Sequence, residues 1–267
     1  MDINSKAIGV FDSGLGGLTA VKRIAEIMPG EDIVYFGDTG RVPYGTRSEQ
    51  TIIKYAKQDI HFLTEHNIKM IIIACGTVSS VAYPHIERMT DLPMVGIVGA
   101  SVKAAAKATK TGSVAVLGTN GTISSGVFAH MLEERGIKSL GIPCPLLIPL
   151  VENNYIHKPA TRLILEDYLK EVKNSDIDTV ILGCTHFPLL SEVISDIMGP
   201  EVTLINSGAE TAQAAYETLK RDGLLNEKGG THSFYVSDDI HSFAKAGGLF
   251  LGREITGSVE KIDIEKY

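Results

Sequence analysis

Short apolar runs alternate along the chain with longer stretches whose apolar residues fall at helical spacing. Ile8-Gly9-Val10-Phe11 predicts a first strand, ended by Asp12-Ser13-Gly14. From Thr19 to Met28 the positions Val21, Ile24, Ala25 and Met28 predict a helix, which Pro29-Gly30 stops. Ile33 to Phe36 predicts a second strand, and Glu49 to Glu65 a second helix. Met70 to Ala74 is apolar at every position, the pattern of a strand covered on both faces. The alternation continues through strands predicted from Met94 to Val98, Val114 to Leu117, Val180 to Leu182 and Val202 to Ile205. These runs are too short to be helices. Their βαβα order predicts an α/β fold of parallel sheets flanked by helices.

One stretch echoes another. Ile71-Ile72-Ile73-Ala74-Cys75-Gly76-Thr77 is matched by Val180-Ile181-Leu182-Gly183-Cys184-Thr185-His186. In each, an apolar strand and a small residue lead to a cysteine, and a threonine follows. The two cysteines stand apart by about the length of a small domain. The carboxyl ends of strands in open parallel sheets face the ligand crevice. Two similar α/β halves would therefore each offer one thiol to a shared cleft.

Composition narrows the class. Of 267 residues, 44% are hydrophobic and 21% charged, the balance of a folded globular protein. The 25 basic against 32 acidic residues give a net charge of −7 with no basic stripe, which argues against a nucleic-acid partner. No apolar run reaches the ~20 residues of a membrane span, and residues Met1 to Lys6 lack the pattern of a signal peptide. Three cysteines are too few for a secreted disulfide scaffold. A cytoplasmic protein with reduced thiols is expected, without a membrane partner.

The chemistry sits in a few segments. Cys144, inside Ile142-Pro143-Cys144-Pro145, reads as a small buried hydrophobe. Cys75 and Cys184 stand at strand mouths, where a following helix N-terminus is expected to lower a thiol pKa from ~8.5. A zinc site would want closer Cys and His pairs, and only Cys184 with His186 comes near, so no metal is expected. Asp12-Ser13-Gly14-Leu15-Gly16-Gly17-Leu18-Thr19 follows a strand and opens a helix. It fits neither a dinucleotide fingerprint nor a P-loop, leaving a turn that offers N–H groups to an anion. Gly118-Thr119-Asn120-Gly121-Thr122 is a second such turn. Arg41-Val42-Pro43-Tyr44-Gly45 suggests a rigid loop aiming a tyrosine hydroxyl.

Together these segments resemble the bacterial glutamate racemases, a family of cofactor-independent amino-acid racemases. The resemblance rests on five blocks that span essentially the whole chain. They are Gly9 to Gly14 with Gly16-Gly17-Leu18-Thr19, Gly37-Asp38-Thr39, Val42-Pro43-Tyr44-Gly45, Ile73-Ala74-Cys75 with Thr77, and Leu182 to His186. It implies two pseudo-symmetric α/β domains with the active site in the cleft between them. The first would take residues 1–98 plus 207–267, and the second 99–206. It places the catalytic cysteines at Cys75 and Cys184, with Asp12 and His186 as their proton-traffic partners. Substrate-binding positions fall on Asp12, Ser13, Tyr44, Gly45, Gly76, Thr77, Thr119, Thr122, Thr185 and His186. The implied activity is interconversion of L- and D-glutamate, supplying D-glutamate for peptidoglycan, with no cofactor and no metal.

That chemistry suits the paired thiols. Racemisation takes the α-proton from one face and returns a proton to the other, so an acid/base is needed on each side of the carbon. By resemblance, Cys75 serves D-glutamate and Cys184 L-glutamate. One departure stands out: the family usually carries asparagine where this chain has Gly76. Gly76→Asn is expected to be tolerated, with the preference for glutamate over aspartate unchanged. Aspartate or hydantoin racemisation is the alternative within the superfamily; an amino-acid-binding protein or a thiol redox sensor lies outside it. Tyr, Met and Ile residues at helical spacing would suit a homodimer face, and core packing accounts for them equally well.

Overall fold

The computed structural model describes residues 3–255 and 258–267. Ten strands are described: β1 (Ala7–Asp12), β2 (Ile33–Gly37), β3 (Ile68–Ile73), β4 (Met94–Gly96), β5 (Ser113–Gly118), β6 (Lys138–Pro143), β7 (Thr179–Leu182), β8 (Thr203–Asn206), β9 (His232–Val236) and β10 (Val259–Lys261). They form two sheets, ordered β10-β9-β2-β1-β3-β4 and β6-β5-β7-β8, and every pairing is parallel. The α/β architecture expected from the alternating pattern is the one observed.

Central strands are buried at nearly every position because helices cover both faces of each sheet, as their unbroken apolar runs require. The edge strand β6 is mostly exposed, which is why no apolar run announces it. Helix Leu18–Ile27 begins and ends within a residue of its predicted bounds. Helix Glu49–Thr64 starts where the Ser48 hydroxyl accepts the Thr51 N–H. The predicted strand from Met94 to Val98 is shorter than expected. Gly96 is still extended (φ −116°, ψ 163°), but Ile97 and Val98 open the helix Ile97–Ala108. Their apolar side chains face a core in either conformation, so hydrophobicity alone did not separate the two.

In each sheet the chain reverses its order of strand addition at one central pair: between β1 and β3 in the first sheet, between β5 and β7 in the second. Such switch points leave a crevice at the carboxyl ends of the strands. One continuous apolar cluster runs through both sheets, from Leu18 and Met70 to Leu117, Leu182 and Phe187. Helix Ser207–Arg221, which leads the chain back towards the first sheet, packs on helices Leu18–Ile27 and Ile97–Ala108. Its first residue, Ser207, donates to Leu182 O at 2.6 Å. The crevices of the two sheets are thereby held in a fixed relation. Among the described residues no helix is long and apolar enough to cross a membrane.

Candidate active site

Strand β1 delivers Asp12 to the crevice as a buried carboxylate. Its Oδ2 accepts the Gly14 N–H at 3.0 Å, and the N–H groups of Gly17 and Ser13 also favour its charged form. Burial outweighs these and the nearby His186, and pushes the carboxyl above its ordinary range. The glycine turn expected to cradle an outside anion is thus wrapped around the chain's own carboxylate. Gly17 makes that possible, since a Cβ there would lie 2.6 Å from Asp12 Cβ. Among the described residues, Asp12 Oδ1 is buried without a hydrogen-bond partner.

Cys75 follows β3 and precedes the helix Gly76–Val81. Its Sγ lies 3.5 Å from Ser13 Oγ. Burial, and next the charge of Asp12, push this thiol up to about 12, against the weaker pull of Ser13 and the Val78 N–H. The expected lowering by a helix N-terminus is therefore reversed. A six-residue helix supplies too little field to offset removal from water beside a carboxylate. Cys144, fully buried and donating to Ile142 O at 3.4 Å, behaves as the small hydrophobe expected.

Strand β7 delivers Cys184, whose Sγ is 3.9 Å from His186 Nδ1. His186 Nε2 lies 2.9 Å from Glu152 Oε1. Burial opposes a charge on the imidazole, but the hydrogen bonds to Cys184 and then Glu152 prevail and raise its pKa to about 10. Glu152 ends the short helix Leu147–Glu152 and lies in no motif, so nothing in the sequence marks it. Thr19, which closes the glycine turn, has its hydroxyl 3.2 Å from Thr185 O and so ties the β1 turn to the β7 turn.

The two sheets meet around these groups through glycines. An ideal Cβ on Gly76 would lie 2.2 Å from Gly183 O, so the two cysteine turns abut backbone against backbone. A Cβ on Gly16 would fall 2.1 Å from Thr185 Oγ1, and one on Gly45 would fall 2.6 Å from Thr119 Cβ. Thr77 and Thr119 hydroxyls are 3.0 Å apart, as are those of Thr119 and Thr122. All twelve positions named from the sequence therefore belong to one buried or half-buried region. Two differ in detail from expectation. Tyr44 hydrogen-bonds Asp38 through its hydroxyl instead of aiming it at the cleft, so its loop reaches Thr119 through Gly45. Gly76→Asn would also drive a side chain into the Gly183 carbonyl, so tolerance of that change is not what this geometry supports. Among the described residues no group of three or more His, Cys, Asp or Glu is gathered so as to hold a metal ion.

Fold and site together define a racemase of the α/β type: the chain belongs to the Asp/Glu/Hydantoin racemase family, whose profile matches residues 8–215. Within that family it is similar to glutamate racemases. It is 43% identical over 253 residues to the glutamate racemase of Chlorobaculum parvum, covering 93% of each chain. A glutamate racemase isoform from Bacillus anthracis superposes with a TM-score of 0.93 at 34% identity, over 97% of this chain and 98% of that one. The Francisella tularensis glutamate racemase, solved in complex with D-glutamate, gives 0.92 at 35% identity, over 99% and 100%.

Proposed function

We propose that this enzyme interconverts L- and D-glutamate by proton transfer between two thiols, one from each sheet. The observation that carries the reading is the meeting of the Cys75 and Cys184 turns, each with its own acid/base partner. Towards D-glutamate, Cys184 as a thiolate, stabilised by the His186 imidazolium that Glu152 holds in place, takes the α-proton and becomes the thiol. Cys75, kept as a thiol by burial and Asp12, gives its proton to the opposite face of the carbon. The C–H electron pair stays on the substrate as a carbanion delocalised into its carboxylate. Reversal of the roles returns L-glutamate.

The α-hydrogen of an amino acid is a very weak acid, so the site must stabilise the carbanion as it forms. Hydroxyls of Ser13, Thr77, Thr119, Thr122 and Thr185, with the N–H groups of the Gly45 and Gly76 turns, are assigned to the substrate's two carboxylates. The unpartnered Asp12 Oδ1 is assigned to its ammonium group or to the Cys75 proton. We place the protein in the cytoplasm, supplying D-glutamate for peptidoglycan, with domains divided as 1–98 plus 207–267 and 99–206.

Circular dichroism of purified protein with L-glutamate, and separately with L-aspartate, tests the substrate. Loss of optical activity with glutamate alone is expected, and turnover of aspartate alone overturns the assignment. In D2O, deuterium should enter only the α-position.

A further inference from the structure

Beneath the Tyr44 turn lies a buried network that the proton transfer does not use. Asp38, just past β2, and Asp59, on helix Glu49–Thr64, both have fully buried side chains. One guanidinium serves both: Arg41 Nε is 2.6 Å from Asp38 Oδ2, and Arg41 Nη2 is 3.3 Å from Asp59 Oδ1. The Tyr44 hydroxyl contacts Asp38 Oδ2 and also lies 3.3 Å from Asp59 Oδ2. Two buried carboxylates on one cation leave a charge to be cancelled.

Hydrogen-bond accounting locates the missing proton. Asp38 accepts from Arg41 Nε, from Tyr44 Oη and from Ser237 Oγ at 2.7 Å, three donors that suit an ionised carboxylate. The single phenolic proton of Tyr44 is therefore committed to Asp38. Its oxygen still faces Asp59 Oδ2 at 3.3 Å, a contact that a hydrogen on Asp59 makes attractive and a second anionic oxygen does not. Apart from that Tyr44 contact, the hydrogen bonds among the described residues give Asp59 only the long one to Arg41 to support a negative charge.

We propose that Asp59 is a neutral carboxylic acid that donates to Tyr44 Oη, giving a one-way chain Asp59–Tyr44–Asp38 that positions the Tyr44–Gly45 turn against Thr119. Burial and the neighbouring Asp38 charge both push the Asp59 pKa well upward, in keeping with this. The groups facing Asp59 are Asp38 and Arg41 beyond β2, Tyr44 in the turn, and Asp12 at the end of β1, which acts through space. Arg41 is itself held by Gln58 at 2.5 Å, by Glu265 at 3.1 Å and by the Tyr55 ring 4.0 Å below it. Asp59 is a positioning residue, and its effect on turnover rests on the reading that the Tyr44–Gly45 turn lines the substrate cleft.

Infrared difference spectra of wild type and Asp59→Asn at neutral pH test the proton directly. The wild type should show a protonated-carboxyl C=O band that shifts in D2O and is missing from Asp59→Asn. Absence of any such difference overturns the proposal. The amide of Asp59→Asn can still donate to Tyr44 Oη, so its kcat/KM should stay within about twofold of wild type, whereas Asp59→Leu should raise KM roughly tenfold with kcat little changed. At alkaline pH the wild-type KM should climb as Asp59 ionises, and more steeply than that of Asp59→Asn, which keeps only the other titrations of the site. An Asp59→Asn enzyme whose KM rises as far as that of Asp59→Leu overturns the positioning role. The infrared band needs no substrate, so it stands or falls separately from the glutamate assignment.

Discussion

The two thiols follow nearly the same sequence pattern, yet the halves that surround them are built differently. On the first sheet Cys75 is buried beside Asp12, a carboxylate held by the N–H groups of its own glycine turn. On the second, Cys184 looks onto an imidazole backed by Glu152, which is partly open to solvent. A buried carboxylate raises the cost of a thiolate; an imidazolium eases it. Equivalent strands therefore deliver equivalent sulfurs into opposite electrostatic surroundings. The difference suits a reaction in which one group must start as an acid when the other starts as a base.

The sharpest way to break this comparison is to exchange each sulfur for a hydroxyl. Cys75→Ser and Cys184→Ser should each lower racemisation roughly 10²–10⁴-fold, the range for losing a positioned acid/base. Exchange of the α-hydrogen, followed by NMR in D2O, should separate them: Cys184→Ser suffers most with L-glutamate, Cys75→Ser with D-glutamate. Equal losses with both isomers would remove the asymmetry.

Changing the partner should cost somewhat less. His186→Asn should lower exchange of L-glutamate by about 10²-fold and spare D-glutamate more. Because the imidazole pKa is about 10 in the folded protein against an ordinary value near 6.5, His186 is charged at neutral pH. The stability it contributes is whole below pH ~6.5 and is lost as pH rises through about 10. Glu152→Gln should pull that loss to lower pH, because a positive imidazole gives up its proton more readily without the carboxylate. Urea unfolding across this pH range measures it, and an unmoved profile would detach Glu152 from His186.

Gly76 tests the spacing between the halves. Adding a Cβ 2.2 Å from Gly183 O must push backbone aside, and overpacking of that kind costs ~1–3 kcal/mol. Gly76→Ala and Gly76→Asn should both reduce kcat/KM by roughly tenfold, with a lowered Tm. Unchanged rates in either variant would mean that the cysteine turns work equally well further apart. The smallest effect is expected at Cys144, which neither half-site uses. Cys144→Ser keeps a partner in Ile142 O, so activity should be unchanged and stability should fall by about 1 kcal/mol in thermal unfolding.

Much of this was legible in the chain because strands buried on both faces write themselves as apolar runs. Small residues then mark where the backbone leaves the sheet, and both cysteines and the glycine turns stand at such marks. Features set by contact between distant segments were not legible. Nothing near Glu152 announces that a histidine thirty-four residues onward will reach it. The rise in the Cys75 pKa depends on how completely both sheets exclude water. The direction of the Tyr44 hydroxyl is fixed by Asp38 and by Asp59, which lies in a different helix. The obstacle at Gly76 is a carbonyl, a group every residue possesses and no sequence distinguishes.

The first sheet is completed late. Strand β2 has β9 as its outer neighbour, yet some two hundred residues, including the whole second sheet, are made between them. At ribosomal speeds of ~5–20 residues per second, β2 carries an open edge for on the order of ten to forty seconds. Over that interval its row of free N–H and C=O groups can pair with any extended chain nearby. Arg41 likewise waits for Glu265 before its contacts are complete. The contacts beneath the Tyr44 turn are thus complete only after the last strands are made, and until then the β2 edge stays open to pairing.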